Sequence, residues 1–192
     1  LARDAMGDTP INLASPDDRS MLLYSRKVAD KTLWSQVFNL GHEVRGSTRK
    51  PKMRTRMRAK EFKENVRGLT RVVYKTEGQR CPDCDGEGRF HPLRKDGTLS
   101  KAVRVCKTCR GTGVLYRSTG EVAGFKLVPR NPMDVASAGF KTDKVTLEER
   151  APELDGAARD FAESYVRYNA LRTYLTTFVE GMQNNVDENG FI

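Results

Sequence analysis

Apolar residues recur at helical spacing near the start of the chain. Residues 15–18 read Ser-Pro-Asp-Asp, a serine cap, a first-turn proline and acids that are typical of a helix start. The apolar positions Met21, Leu22 and Tyr24 follow. A second short helix is predicted to begin after Asp30 and to end at a glycine. The glycine is Gly41, and the residues predicted to face inward are Leu33, Trp34, Val37 and Phe38.

The C-terminal part predicts the longest helix of the chain. It begins at Asp155 and extends for about 26 residues, or ~40 Å. Its apolar positions are spaced by three and four residues: Phe161, Tyr165, Tyr168, Leu171, Leu175, Phe178 and Met182. The two N-terminal helices can cover only part of this stripe. Before the helix, Thr146 and Glu149 form the capping box of a short turn that ends before Pro152.

Residues 41–139 lack this periodicity. Residues 59–68 predict one or two helical turns, and residues 69–74 predict a strand. Asp96-Gly97 is a hairpin signal, with residues 103–105 and 114–116 as its arms or their neighbours. We therefore expect an α+β fold, mainly helical, with an inserted small β-rich module. The predicted division is 1–40, 41–139 and 140–192.

Composition excludes two broad classes. The chain has 192 residues, of which 38% are hydrophobic and 31% charged, and its mean hydropathy is −0.63. No stretch approaches the ~18 consecutive apolar residues of a membrane span. The first ten residues also lack the apolar run of a signal peptide. We therefore expect a cytoplasmic protein with no membrane partner.

Positive charge is concentrated in the middle of the chain. Residues 41–80 hold thirteen Lys or Arg against four Asp or Glu, and residues 81–130 hold ten against five. Residues 131–192 are acidic, with six basic and eleven acidic residues. Such a block indicates a polyanionic partner, most often nucleic acid, although a solvated basic face is the alternative.

The densest basic segment is residues 45–60, where eight of sixteen residues are Lys or Arg and none is acidic. Six bases fall on alternate positions, which would place them on one face of an extended segment. A disordered arm that orders on its ligand is the alternative. The predicted phosphate contacts are Arg45, Arg49, Lys50, Lys52, Arg54, Arg56, Arg58 and Lys60.

The four cysteines form two Cys-x-x-Cys pairs. They are Cys81 with Cys84 and Cys106 with Cys109, separated by 21 residues. Two such pairs can close a tetrahedral S4 site, and this spacing is typical of zinc. Each pair continues as Cys-x-Gly-x-Gly, and glycine lets backbone N–H groups turn towards sulfur. With four protein ligands, the ion would be structural rather than catalytic.

Other interpretations of the cysteines are two disulfides or a dithiol redox centre, and nickel or iron could also occupy an S4 site. The only histidines, His42 and His91, receive no role.

The two Cys-x-x-Cys-x-Gly-x-Gly repeats, residues 81–88 and 106–113, resemble the cysteine-rich domain of DnaJ-type chaperones. That family has four such repeats and two zinc ions, so two repeats imply one ion here. The J-domain signature His-Pro-Asp is missing, since His91-Pro92 is followed by Leu93. The resemblance therefore implies a local zinc fold.

The helical parts resemble the thumb of family A, DNA polymerase I-type, polymerases. The similar segments are Ile11-Asn-Leu-Ala-Ser-Pro16 with Leu22-Leu23-Tyr24, Lys141-Thr-Asp-Lys-Val-Thr146-Leu-Glu-Glu149, Glu163-Ser-Tyr165 with Ala170-Leu-Arg-Thr-Tyr174, and the tail 186–192. The resemblance implies a thumb formed by residues 1–40 and 140–192 that grips primer–template DNA through its backbone, with Arg172 as one contact. Residues 41–139 would be an insertion.

This resemblance also implies what lies outside the chain. Polymerisation uses paired palm carboxylates that hold magnesium, and neither these nor a fingers helix is recognisable. We therefore expect a bacterial or phage polymerase fragment with no catalytic residue, whose partners are DNA and the remaining polymerase domains. The alternatives are a DnaJ-like adaptor that binds a peptide or partner protein, and an RNA-binding zinc protein whose exposed aromatics stack on bases.

Overall fold

The computed structural model describes residues 1–40, 57–95 and 97–179. They form an α+β fold, as expected from the sequence. The helices are α1 (Ala2–Met6), α2 (Pro16–Tyr24), α3 (Lys31–Val37), α4 (Ala59–Leu69), α5 (Lys144–Arg150) and α6 (Gly156–Tyr174). The strands are β1 (Arg26–Val28), β2 (Thr70–Val72), β3 (Tyr74–Arg80), β4 (Arg89–Phe90), β5 (Arg104–Val105), β6 (Val114–Val122), β7 (Val135–Ala136) and β8 (Gly139–Phe140).

Both N-terminal caps are confirmed. The Asp18 N–H donates to Ser15 Oγ over 3.4 Å at the start of α2. The N–H groups of Thr32 and Leu33 donate to Asp30 Oδ1 over 2.8 and 3.0 Å at the start of α3. The predicted inward face of α3 is wrong at Leu33, whose side chain is exposed, and the helix ends at Val37 rather than at Gly41.

The cap of α5 differs from the prediction. The helix begins at Lys144, and its cap is Asp143 rather than Thr146. The Asp143 carboxylate accepts hydrogen bonds from the Thr146 N–H and hydroxyl, each over 3.0 Å. Asp143 is the cap because its two carboxylate oxygens accept hydrogen bonds from both the N–H and the hydroxyl of Thr146. The start of α6 after Asp155 is confirmed.

Aromatic side chains join distant parts of the chain in one core. The Phe140 ring stacks on Tyr24 with 4.6 Å between centroids and meets Trp34 edge-on at 5.5 Å. Trp34 Nε1 donates to the Ala136 carbonyl over 2.9 Å. Phe62 of α4 adds an edge contact to Phe38 at 5.9 Å. The core therefore draws on residues from 1–40, 41–139 and 140–192 alike.

A buried arginine ties α5 to the chain that returns to the core. Arg150 is 3% exposed, and its Nη2 donates to the Val128 carbonyl over 2.6 Å. Its Nη1 lies 3.1 Å from Asp134 Oδ2. Its Nε is 2.9 Å from Glu153 Oε2, an ion-pair contact without the alignment of a hydrogen bond.

The segment before α2 is fixed by two side chains from different helices. Arg19 Nη1 donates to the carbonyls of Leu13 and Ala14 over 2.8 and 3.0 Å. The Tyr165 hydroxyl also donates to the Leu13 carbonyl, over 3.2 Å. The Arg19 guanidinium lies 5.7 Å from the centre of the Tyr165 ring. These contacts attach the first half of α6 to the N-terminal residues.

Only the first half of the α6 stripe is covered. Phe161 and Ala162 are buried and Tyr165 is half-buried. The remaining described members of the stripe, Tyr168, Leu171, Leu175 and Phe178, are each more than half exposed. The helix continues through a π-helical turn, Leu175–Val179, and Met182 lies outside the described residues.

A two-stranded antiparallel ribbon connects the core to the cysteines. Strand β3 pairs with β6, with Gly78 opposite Tyr116 and Arg80 opposite Val114. The predicted strand at 69–74 is not continuous. Leu69 is the last residue of α4, and residues 70–72 form β2, which pairs with β1. The predicted arm at 114–116 is the start of the longer β6.

Beyond the ribbon, β4 pairs with β5, and Leu93 bridges Leu99. The turn between them confirms the hairpin signal at Gly97, which has a φ of +82°; Asp96 lies outside the described residues. No helix in the described ranges has the length and apolar character needed to span a membrane.

Candidate metal centre

The four cysteine sulfurs meet at the end of the β3–β6 ribbon. Cys81 Sγ lies 3.9 Å from Cys106 Sγ, and Cys84 Sγ lies 3.7 Å from Cys109 Sγ. All four sulfurs are within 4.8 Å of one another, and all four residues are buried. A regular tetrahedron with metal–sulfur bonds of ~2.3 Å has edges of about 3.8 Å. The cluster therefore has the dimensions of an S4 metal site.

Two backbone amides point at these sulfurs, as the glycine pattern predicted. The Gly88 N–H donates to Cys84 Sγ over 3.2 Å, and the Gly113 N–H donates to Cys109 Sγ over 3.3 Å. Each amide belongs to the last glycine of its Cys-x-x-Cys-x-Gly-x-Gly repeat. Such hydrogen bonds stabilise thiolate charge.

The two repeats are also locked to each other. The Cys81 N–H donates to the Gly113 carbonyl and the Cys106 N–H donates to the Gly88 carbonyl, each over 2.8 Å. The exchange relates the repeats by an approximate two-fold axis. This reciprocal pairing was not predicted, although the constant offset of 25 residues between matching positions was a signal for it.

Glycine is required where the two repeats touch. Gly88 and Gly113 have φ values of +73° and +75°. A Cβ at Gly88 would lie 2.3 Å from the Gly111 carbonyl oxygen, and one at Gly113 would lie 2.1 Å from that of Gly86. No side chain fits in this space, so these glycines set the distance between the two cysteine pairs.

Side chains around the cluster strengthen the same arrangement. The Thr108 hydroxyl donates to the Asp83 carboxylate and so links the second pair to the first. Arg80 Nε donates to the Asp85 carbonyl over 2.6 Å. Leu115 is the one described hydrophobic residue that packs against the cysteines. With so small an apolar core, the module needs another source of stability.

The pKa values of the thiols differ within the cluster. Burial raises the pKa of the Cys81 thiol to about 12 and also raises the pKa of Cys84. Burial opposes ionisation of Cys109 too, but the amides of Gly113 and Gly111 and the neighbouring thiols lower its pKa to about 6. A divalent cation supplies the positive charge that lets such a set ionise together.

The distances between the sulfurs do not fit the disulfide interpretation of the cysteines. A disulfide needs sulfurs ~2.05 Å apart, whereas the two close pairs are at 3.7 and 3.9 Å, and all four cysteines are free thiols. His91 lies outside the cluster: it is exposed, and its Nδ1 is 2.9 Å from the Ser100 carbonyl oxygen.

The predicted DNA contacts that fall in the described residues are exposed. Arg58 precedes α4, Lys60 lies in its first turn and Arg172 lies in the last turn of α6. Because Lys60 is helical, the extended-face interpretation is wrong at that position. The other predicted contacts lie outside the described residues: Arg45, Arg49, Lys50, Lys52, Arg54 and Arg56.

The metal module, residues 81–113, presents a basic surface. Its described acids are Asp83, Asp85 and Glu87. Its exposed bases are more numerous: Arg89, Arg94, Lys95, Lys101, Arg104, Lys107 and Arg110.

Within the described ranges, the four cysteines are the one group of His, Cys, Asp or Glu side chains placed to hold a metal. Comparison of the chain with protein-family models, curated proteins and solved structures finds no match.

Proposed function

We propose that the chain is the thumb region of a family A-type DNA polymerase, which grips primer–template DNA through phosphate contacts and carries one structural zinc ion. The observation that supports this most is the exposure of the basic block. Of the seventeen described Lys and Arg residues between 57 and 130, sixteen are exposed, and Lys75 is half-buried. Charge held at the surface in this way suits a polyanion.

Few of these bases are neutralised by neighbours. Among the described residues, ion pairs in this range join Lys75 to Glu121, Arg80 to Asp85 and Arg130 to Glu153. The other fourteen bases form no ion pair with a described residue. Their charge is available for DNA phosphates, which position a duplex without selecting its sequence.

Zinc is the metal that fits the site best. Four thiolates at tetrahedral spacing are typical of zinc, which needs no redox support. The four ligands leave no open position, so the ion has a structural role. Zinc binding contributes ~10–16 kcal/mol in zinc-finger peptides, which can replace the apolar core that the module lacks.

In this proposal, the metal acts on DNA binding through the ribbon. Strands β3 and β6 carry the module away from the helical core, and the two repeats at the end of the ribbon depend on the S4 site for their shape. Zinc would thereby fix the direction in which the bases of the module project. We assign no catalytic residue to this chain; polymerisation and its magnesium ions would belong to other domains of a parent polymerase.

The salt dependence of DNA binding tests the proposal. Arg54, Arg56, Arg58 and Lys60 are replaced together by Ala, and binding to a fluorescent primer–template hairpin is measured between 50 and 300 mM salt. If all four contact phosphates, the slope of log K against log salt falls by about 3.6, at ~0.9 per phosphate. Replacing Lys141, Lys144, Arg159 and Arg167 by Ala is the matched control from the acidic part.

An unchanged slope in the first variant would contradict the proposed DNA contacts. Stronger competition by single-stranded RNA than by primer–template DNA would favour the RNA-binding alternative. Weak, salt-insensitive DNA binding together with suppression of a client protein's aggregation would favour the DnaJ-like adaptor.

A further inference from the structure

A groove of about 440 Å³ lies apart from the cysteines, between α4, strands β1 and β2 and residues 126–129. Phe62, Val66 and Leu127 contribute to its apolar lining, and Val72 and Val128 remain 37% and 67% exposed. We call it the basic groove, for the reason that follows.

All the described charged residues that line the basic groove are positive. Arg26, Lys63, Arg67 and Lys126 line it, and no Asp or Glu among the described residues does. None of the four forms an ion pair with another described residue. Arg26 is held in place, because its Nη1 donates to Thr70 Oγ1 over 3.0 Å. An apolar cleft lined by four cations without ion-pair partners among the described residues has the chemistry to bind an apolar ligand that carries carboxylates.

Two residues beside the groove have an unfavourable backbone conformation. Ser25 and Lys126 both have left-handed φ values, +57° and +58°, which side chains disfavour. The Lys126 N–H donates to Ser25 Oγ over 2.9 Å and joins the two strained residues. This contact fixes Lys126 at the edge of the groove.

The lining favours a peptide over nucleic acid. Single-stranded nucleic acid stacks its bases on exposed aromatic rings, but Tyr24 and Phe62 are only 2% and 1% exposed. The exposed apolar surface is aliphatic, from Val72 and Val128, and suits Leu or Ile side chains. Residues 41–56 of this chain are a poor occupant, since their basic composition would be repelled by the four cations.

We propose that the basic groove binds an acidic amphipathic peptide segment of a partner protein. Aliphatic side chains of the peptide would enter the cleft, and its Asp or Glu residues would pair with Lys63, Arg67, Arg26 and Lys126. Lys63, Arg67 and Lys126 also belong to the exposed basic block, but the inference does not require DNA binding, because it rests on the apolar lining of the groove as well as on these charges.

A peptide-display selection tests the inference. A library of random 12-residue peptides is selected on the full chain, and an enriched peptide is synthesised for affinity measurement. We expect enriched sequences that combine Asp or Glu with Leu, Ile or Phe. The double variant K63E/R67E should bind the peptide at least tenfold more weakly. Both side chains are exposed, so folding should be retained and is checked by circular dichroism.

The matched control is K101E/K107E, which makes the same charge change at exposed positions of the metal module. It should bind the peptide as the unaltered chain does. The inference is overturned if no acidic peptide is enriched, or if K101E/K107E weakens binding as much as K63E/R67E. It is also overturned if a dT16 oligonucleotide binds the chain, loses affinity in K63E/R67E and competes with every enriched peptide.

Discussion

Gly113 offers the sharpest test of how the metal site is built. In Gly113→Ala, the new Cβ would lie 2.1 Å from the Gly86 carbonyl oxygen, 0.9 Å inside the 3.0 Å limit that real Cβ atoms respect. The contact is backbone against a rigid repeat, so the two cysteine pairs must separate. Metal–sulfur distances in a metal site stay within ~0.2 Å of their usual values. We therefore expect zinc affinity to fall at least about tenfold, the usual loss when outer contacts of a metal site are disturbed.

Gly120→Ala separates the clash from the backbone strain. Gly120 has a φ of +82°, close to the +75° of Gly113, but a Cβ there meets no atom within 4 Å. The Gly120→Ala substitution should lower the free energy of unfolding by about 1–2 kcal/mol, because alanine disfavours the left-handed conformation. It should leave zinc affinity unchanged. Zinc affinity is measured by competition with a chromophoric chelator. Equal affinities in the two variants would refute the claim that inter-repeat contact sets the geometry of the site.

Three further predictions concern the core and its independence from the metal. Phe140→Ala should cost about 3–5 kcal/mol in urea unfolding, whereas Phe178→Ala, 53% exposed, should cost about 0.5 kcal/mol or less; equal losses would contradict the packing. Burial raises the pKa of Tyr24 to about 12. The stability contributed by its neutral form is therefore full below pH 10 and is lost between pH 10 and 12. In urea unfolding, the free energy of unfolding of Tyr24→Phe should fall less over that interval than that of the unaltered chain. Because Trp34 lies in the helical core and the four cysteines lie in the metal module, chelation of the metal should leave tryptophan fluorescence unchanged while the thiols become reactive towards iodoacetamide. A large fluorescence shift would show that the core depends on the metal.

Local features were well predicted from the sequence. The cysteine cluster was predicted from spacing, because each Cys-x-x-Cys-x-Gly-x-Gly repeat folds on itself and two such pairs have the dimensions of one S4 site. Ser15 and Asp30 were found as caps because capping involves residues two or three positions apart. Asp143 was missed because Thr146 fits the same pattern, and only the geometry shows which side chain satisfies the free amides.

Long-range pairing was not predicted. Strand β2 pairs with β1, which lies more than 40 residues earlier, and no local pattern specifies that partner. The basic groove also depends on such pairing, since it brings Arg26 beside Lys63 and Lys126. The sequence predicted that the apolar stripe of α6 would be covered only in part, but helical spacing could not show where the cover ends. The described residues cover Phe161 and partly Tyr165, and they leave Tyr168 and Leu171 exposed.

Metal analysis of the purified chain tests the central claim most directly. Zinc is quantified per chain for the unaltered protein and for the double variant C84S/C109S, together with the reactivity of the thiols towards iodoacetamide. The account predicts one zinc per chain with the four cysteines protected, and loss of the metal in the variant. Protein purified without chelators that contains no metal and has four freely alkylated cysteines would contradict it.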